Sequence, residues 1–196
     1  MDKIIKILDL IGDFSLFGEQ IIGHVVSKNS GHESNIKFLN IIKKEMNKNK
    51  ATYKFNRAQI KQVIPHRYPF LLIDNIIDVV PGKKVIAEKT FTVEDNFLEG
   101  HFPGNPIVPG VILIECMAQA SCFLSLNLVE DRENKMMLLS SIKSAKFYKK
   151  VVLNDCVQIY IKLLKFKLNT ALFYGEIKLN NIKVTSSEFM ATVVRK

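Results

Sequence analysis

The sequence predicts an α+β domain in which six antiparallel strands wrap around one buried helix. Three observations carry this. Residues 110–129 are apolar almost all round, so a helix there must be covered on most sides. From residue 137 the hydrophobic period changes to two: Val157, Ile159 and Ile161 alternate with Gln158, Tyr160 and Lys162. The joints LNT and LNN between the later strands are short, which makes neighbouring strands pair antiparallel. A curled sheet with one face on the helix satisfies all three.

The elements follow in order. Ile4, Ile7, Leu8 and Ile11, then Ile21, Ile22 and Val25, recur at roughly helical spacing. Gly12 and Gly18 interrupt them, which predicts two short helices rather than one. SKNSGHESN at 27–35 reads as a polar linker, and 36–47 as a short amphipathic helix. A boundary near Lys50 separates a helical extension (1–50), whose role the sequence does not state, from the main domain (51–196). Asn56 can cap a helix over about 57–64, which Pro65 ends. FLLIDNIIDVV (70–80) and KVIAEKTFTV (84–93) are strands joined by a turn at Pro81-Gly82. Residues 94–109 hold two Gly and three Pro and form an irregular loop ahead of the buried helix. Strands then cover 137–148, 156–167, 171–179 and 184–194.

Composition narrows the function classes. The chain has 196 residues, 47% of them apolar, which suffices for a packed core. Its three cysteines are odd in number and lack any CxxC pairing, which argues against a disulfide framework or a zinc site and fits a reducing compartment. The formal charge of +9 is uneven: residues 141–196 carry 11 basic and 3 acidic groups. A basic portion of this kind suits an acidic partner or simply a solvated face. Ile107 to Leu128, the most apolar stretch, contains Glu115 and Gln119, which a bilayer would penalise. The N-terminus has no compact apolar segment of the signal-peptide kind, and the expected compartment is the cytoplasm.

The residues suited to chemistry sit around the start of the buried helix. The Gly and Pro of Gly100-His101-Phe102-Pro103-Gly104-Asn105-Pro106 fix the loop's shape and can present His101. Backbone N–H groups at Pro109-Gly110 have no helical partner, and they can bind a developing oxyanion. Glu115 lies about one and a half turns into the helix, where a carboxyl group needs a partner or must stay neutral. A base, a proton donor and an oxyanion site together can remove an α-proton and a β-hydroxyl. The apolar helix beside them can floor a tunnel for an acyl chain.

HRYPFLLID at 66–74 and GHFPGNPIVPGVILIECMAQA at 100–120 closely resemble the 3-hydroxyacyl-acyl-carrier-protein dehydratases of type II fatty acid synthesis, over about residues 56–194. The resemblance implies the hot-dog fold and dehydration of a (3R)-3-hydroxyacyl chain to its trans-2-enoyl product, with no cofactor and no metal. It implies His101 as base and Glu115 as acid. The Gly110 N–H would receive the thioester carbonyl, Phe102 would line the site, and His66 and Tyr68 would shape the tunnel mouth. In this family the pair comes from two subunits, so the resemblance implies a homodimer with a shared active site, assembled as a hexamer of three dimers. The implied partner is acidic acyl carrier protein, with Lys146, Lys149, Lys150 and Lys162 as candidates for steering it; neither nucleic acid nor membrane is expected. Related dehydratase-isomerases carry Asp at the position of Glu115, so Glu115 favours dehydration without isomerisation. AKFYKKVVLND at 145–155 departs from the family's usual pattern: Tyr148 replaces Arg, Lys150 replaces Pro and Asn154 replaces Gly. Two competing readings are a hot-dog acyl thioesterase and a non-catalytic hot-dog protein that binds acyl carrier protein.

Overall fold

The structure is a computed structural model that describes residues 2–15, 25–28, 31–48 and 53–196. The chain divides into two compact units, Met1–Ala51 and Thr52–Lys196.

The first unit contains two helices, α1 (Asp2–Ser15) and α2 (His32–Lys48). α1 runs straight through Gly12, where the sequence predicts a break. A helical glycine costs only about 1 kcal/mol, which the contacts of the next two residues outweigh. Asp13 is buried and accepts from Asn35 Nδ2 at 2.9 Å and from His32 Nδ1 at 2.7 Å. Phe14 stacks on Phe38 with ring centroids 6.0 Å apart. The same contacts explain why α2 starts at His32, inside the stretch expected to be a linker: its first turn supplies the partners of Asp13. The Asn35 and His32 hydrogen bonds hold the Asp13 carboxyl below the ordinary range, and the His32 imidazole is correspondingly raised. The second helix expected around Ile21 lies outside the described residues, apart from Val25.

The second unit begins with α3 (Arg57–Val63), closed by a reciprocal cap. Asn56 Oδ1 accepts the Gln59 N–H at 3.0 Å, and Gln59 Oε1 accepts the Asn56 N–H at 2.9 Å. The strands are β1 (Asn75–Val80), β2 (Lys84–Thr90), β3 (Lys135–Phe147), β4 (Cys156–Lys167), β5 (Thr170–Leu179) and β6 (Ile182–Arg195). They form one antiparallel sheet in the order β1-β2-β4-β5-β6-β3. The two short joints are left-handed: φ is 49° and 60° at Leu168 and Asn169, and 49° and 64° at Asn180 and Asn181. Positive φ at both central residues matches the right-handed twist of the flanking strands.

Two strands are shorter than the sequence predicts. Residues 70–74 form no strand: the Leu72 N–H goes to the Gln119 side chain instead of a neighbouring strand, and only Asp74 reaches β2, through the Glu88 carbonyl at 3.0 Å. β2 stops at Thr90, where the Phe91 N–H turns to the Asp155 carbonyl at 3.1 Å.

The central helix α5 (Gly110–Ser125) continues as a single 3₁₀ turn, Leu126–Leu128. From Leu113 to Leu126 every residue is buried except Glu115. The helix packs against the sheet, and at Gly175 it comes so close that any side chain would force its neighbours to shift. A Cβ there would sit 2.6 Å from Met117 Sδ and 3.0 Å from Ile161 Cδ1. Phe123 of the helix and Phe91, Phe173 and Phe189 beside it are fully buried. Each contributes roughly 1.5–3 kcal/mol of transfer free energy. The α+β layout expected from the sequence is the one observed.

β3 is an edge strand, paired on one side only, to β6. Past Met137 its side chains are exposed, including Leu138, Leu139, Ile142 and Phe147.

Candidate active site

The loop before α5 is held by its own backbone. The Ile107 N–H donates to the His101 carbonyl at 2.7 Å, and the Val108 N–H to Val151 at 2.8 Å. Phe102 and Asn105 exchange N–H···O bonds at 3.2 and 2.9 Å, closing a turn through Gly104. Upstream, Lys89 and Asp95 form a buried ion pair at 2.9 Å, and Asp95 also accepts the Thr92 N–H at 2.8 Å. This pins the segment that leads to the short helix α4 (Phe97–Gly100) and then His101.

Within that frame the His101 ring has one orientation. Its Nδ1 lies 2.8 Å from the Ile107 carbonyl oxygen. A carbonyl only accepts, so Nδ1 carries the proton and Nε2 presents a lone pair. Phe102 stacks on the imidazole at a centroid distance of 4.1 Å and remains half exposed.

Glu115 is the half-buried residue in the otherwise buried run of α5. Its Oε1 accepts from Gln119 Nε2 at 2.9 Å and lies 3.5 Å from His66 Nε2. Burial holds the His66 imidazole below its ordinary value of 6.5, against the opposing pull of Glu115. Glu115, His66 and Gln119 head a cavity of about 150 Å³ that runs past Ala118 and Cys122 to Met137 and Ala191. Burial pushes the Cys122 thiol up to about 12 and raises that of Cys116 as well. Both cysteines stay protonated and serve as packing groups.

At the head of α5 the Gly110 N–H makes no hydrogen bond among the described residues. A Cβ there would meet the half-exposed Phe147 ring at 2.7 Å, so a side chain at this position requires the ring to shift. No group of three His, Cys, Asp or Glu among the described residues is placed to hold a metal ion. No helix of the described residues is long and apolar enough to cross a membrane.

The structure therefore brings His66 to Glu115 and stacks Phe102 on His101. Within one protomer His101 takes no part in the contacts of Glu115 and does not line its cavity. Tyr68 is exposed and borders a separate small pocket with Arg57 and Asp74. Gln119 was missed as a site residue: its spacing of four from Glu115 on an apolar helix was the available signal.

Comparison with known proteins supplies the family. Residues 64–188 match the family model of the FabA-like domain. The 3-hydroxyacyl-acyl-carrier-protein dehydratase FabZ of Enterococcus faecalis is 38% identical over 135 residues, 69% of this chain and 95% of that protein. The chain belongs to the 3-hydroxyacyl-acyl-carrier-protein dehydratase family.

The FabZ dehydratase of Acetivibrio thermocellus is 44% identical over 111 residues, 57% of this chain and 75% of that protein. The same fold occurs in a solved structure. The dehydratase heterocomplex ApeI:P of Xenorhabdus doucetiae superimposes with a TM-score of 0.60 over 70% of this chain and 91% of that one, at 20% identity. That likeness establishes the hot-dog fold alone. A second family model, the UDP-3-O-acyl N-acetylglycosamine deacetylase, matches residues 5–44. The bifunctional enzyme LpxC/FabZ of Chlorobaculum tepidum is 33% identical over 97% of this chain, which spans 43% of that relative's length. The chain thus covers less than half of the bifunctional relatives it matches.

The departures from the dehydratase pattern at 148–154 are accommodated locally. Asn154 stands at φ 69°, a left-handed conformation that asparagine tolerates best after glycine. Tyr148 hydrogen-bonds Ser186 Oγ at 3.0 Å, and Lys150 is exposed.

Proposed function

We propose that this chain dehydrates (3R)-3-hydroxyacyl chains, carried as thioesters on acyl carrier protein, to trans-2-enoyl products. The observation that supports it most is the contrast between two groups: an imidazole whose tautomer leaves Nε2 free, and a single carboxyl group set into a buried helix. His101 Nε2 takes the proton from C2, and the electron pair forms the C2–C3 double bond. Glu115 gives its proton to the C3 hydroxyl, the C3–O bond breaks, and water leaves. Proton return from His101 to Glu115 restores the starting state. The unpaired Gly110 N–H at the positive end of α5 receives the thioester oxygen as negative charge develops on it.

The site is completed by a second copy of the chain. In one protomer His101 and Glu115 serve different surroundings, while β3 offers an unpaired edge with exposed Leu138, Leu139 and Ile142. Pairing that edge with the same strand of a partner would cover the cavity flank formed by Leu138 and Leu139 and bring a partner's histidine to Glu115. Assembly of three such dimers, and steering of an acidic carrier by Lys146, Lys149, Lys150 and Lys162 in the cytoplasm, belong to the same proposal. His66 borders the acid; Phe102 and Tyr68 remain candidates for substrate contact.

The test is an absorbance assay for the conjugated enoyl thioester with the purified chain, run beside a thiol-release assay. Dehydration raises the first signal and leaves the second flat; thiol release alone would replace this reading with thioester hydrolysis. Mixing His101→Ala with Glu115→Gln chains under subunit exchange should restore roughly a quarter of wild-type activity, since half of the dimers then hold one intact site. No recovery after proven exchange would refute the shared site.

A further inference from the structure

We propose that the sheet face turned away from α5 carries a second binding site, for an anionic amphiphile: an aliphatic chain ending in a carboxylate or a phosphate. The inference does not depend on the dehydratase reading.

Strand alternation builds the site. Val85, Ile161 and Gly175 are in register on the α5 side of β2, β4 and β5, so the residues between them point the other way. Six of these form two rows across the three strands: Lys84 beside Lys162 beside Tyr174, and Ile86 beside Tyr160 beside Glu176. Together they line an open, mainly apolar cavity of about 470 Å³. That is the size of a small-molecule site. Both rings are fixed at their hydroxyl ends. Tyr160 Oη donates to Gln158 Oε1 at 2.6 Å, and Tyr174 Oη to Glu176 Oε1 at 2.7 Å. Lys178 Nζ stands 4.7 Å from the centroid of the Tyr160 ring. The walls are therefore formed before any ligand arrives.

The charges select the head group. Lys84 and Lys162 stand directly opposite each other on neighbouring strands, where like charges destabilise a sheet. Lys84 is partly neutralised by Asp78 at 3.1 Å. Lys162 is exposed and has no carboxylate partner among the described residues. Glu176, the carboxylate of the lining, is already committed, since Lys183 pairs with it and Tyr174 donates to it. An anion between Lys84 and Lys162 would meet two ammonium groups and relieve their repulsion. Its chain would then lie over Ile86 and the two tyrosines, removing apolar surface from water. A cationic head of the same chain length would gain the second contribution and lose the first.

The test is equilibrium dialysis of the full chain against decanoate, decyl phosphate and decyltrimethylammonium, read without turnover so that it stands or falls apart from the dehydratase reading. At least one of the two anions should bind saturably, and the cation at least 30-fold more weakly; the tighter anion tells a carboxylate head from a phosphate head. Lys162→Glu and Ile86→Glu, two changes on an outer face, should each weaken one anion site per chain at least tenfold and leave any site in the cavity beside Glu115. Lys167→Glu, exposed on the same strand beyond the cavity, makes the same change in net charge and should alter binding less than twofold. Circular dichroism melts report whether each variant is folded. No saturable binding, equal binding of the cation, an equal loss with Lys167→Glu, or binding untouched by folded Lys162→Glu and Ile86→Glu overturns the inference.

Discussion

The Nδ1–H of His101 donates to the carbonyl of Ile107 across a 2.8 Å gap, within the same loop. One main-chain oxygen thus decides which ring nitrogen is available as a base. An asparagine side chain can reproduce the Nδ1–H donor but offers nothing at the Nε2 position. His101→Asn should therefore melt near the wild-type temperature and lose 10²-fold or more in kcat, about the range removed with a general base. Calorimetry and the enoyl absorbance assay check the two halves separately. Turnover near the wild-type rate would remove His101 from the mechanism.

The Lys89–Asp95 pair is buried at both ends, with side-chain exposures of 4% and 10%. Breaking such a pair leaves a charge without its partner, which costs about 3–5 kcal/mol. Lys89→Met should lower the denaturation free energy by that amount, and Lys89→Met/Asp95→Leu should recover part of it. Urea unfolding curves of the three proteins measure both differences. Because Asp95 also caps the turn ahead of α4, activity should fall with the single change even where the chain is folded.

His66 makes stability depend on acid. Its folded imidazole sits below 6.5, chiefly through burial, with Arg67 adding to the shift and Glu115 opposing it. Above 6.5 the ring is neutral in both folded and unfolded chains. As pH falls below that value the unfolded chain takes up the proton first, so stability declines until the folded ring titrates too. His66→Gln should flatten this share of the slope, which is at most one proton. Midpoints of urea unfolding at pH 7.5, 6.5 and 5.5 provide the measurement; an unchanged slope would remove His66 as its source.

At the head of α5, Gly110 and Phe147 compete for the same space. A methyl group on Gly110 would meet the ring at 2.7–2.8 Å. Gly110→Ala should cost about 1–3 kcal/mol through overpacking. Phe147→Ala should relieve most of it, because the clash is with a half-exposed ring rather than with backbone. A denaturation double-mutant cycle checks the coupling; independent, additive losses would show that the ring moves away on its own.

Much of the second unit was legible in the residues, for identifiable reasons. α5 declared itself because an apolar run without a polar face has only one place to go. β4, β5 and β6 were legible because strict alternation met short Asn-containing joints, and Leu168-Asn169 and Asn180-Asn181 do take the turn geometry those joints imply. The overextended strand at 70–74 shows the limit of that reasoning. Phe70, Leu71 and Leu72 have the composition of a strand, yet the Leu72 N–H answers a side chain 47 residues away. Gly12 failed as a break because the buried carboxyl of Asp13 found partners on α2. His101 and Glu115 stood out by chemistry and spacing. Gln119 did not, since an amide in an apolar helix looks the same whether it fills space or steers an acid.

The bare flank of β3 carries a cost of its own. A thirteen-residue ribbon with open N–H and C=O groups and projecting leucines, isoleucine and phenylalanine is a template for any other extended chain. With a second copy of the chain covering that edge, as proposed, dilution would act much as a denaturant does: it would strip the cover from the ribbon and leave it to find a poorer one. Its melting temperature should climb with protein concentration, and its shelf life should be worst in the most dilute tube.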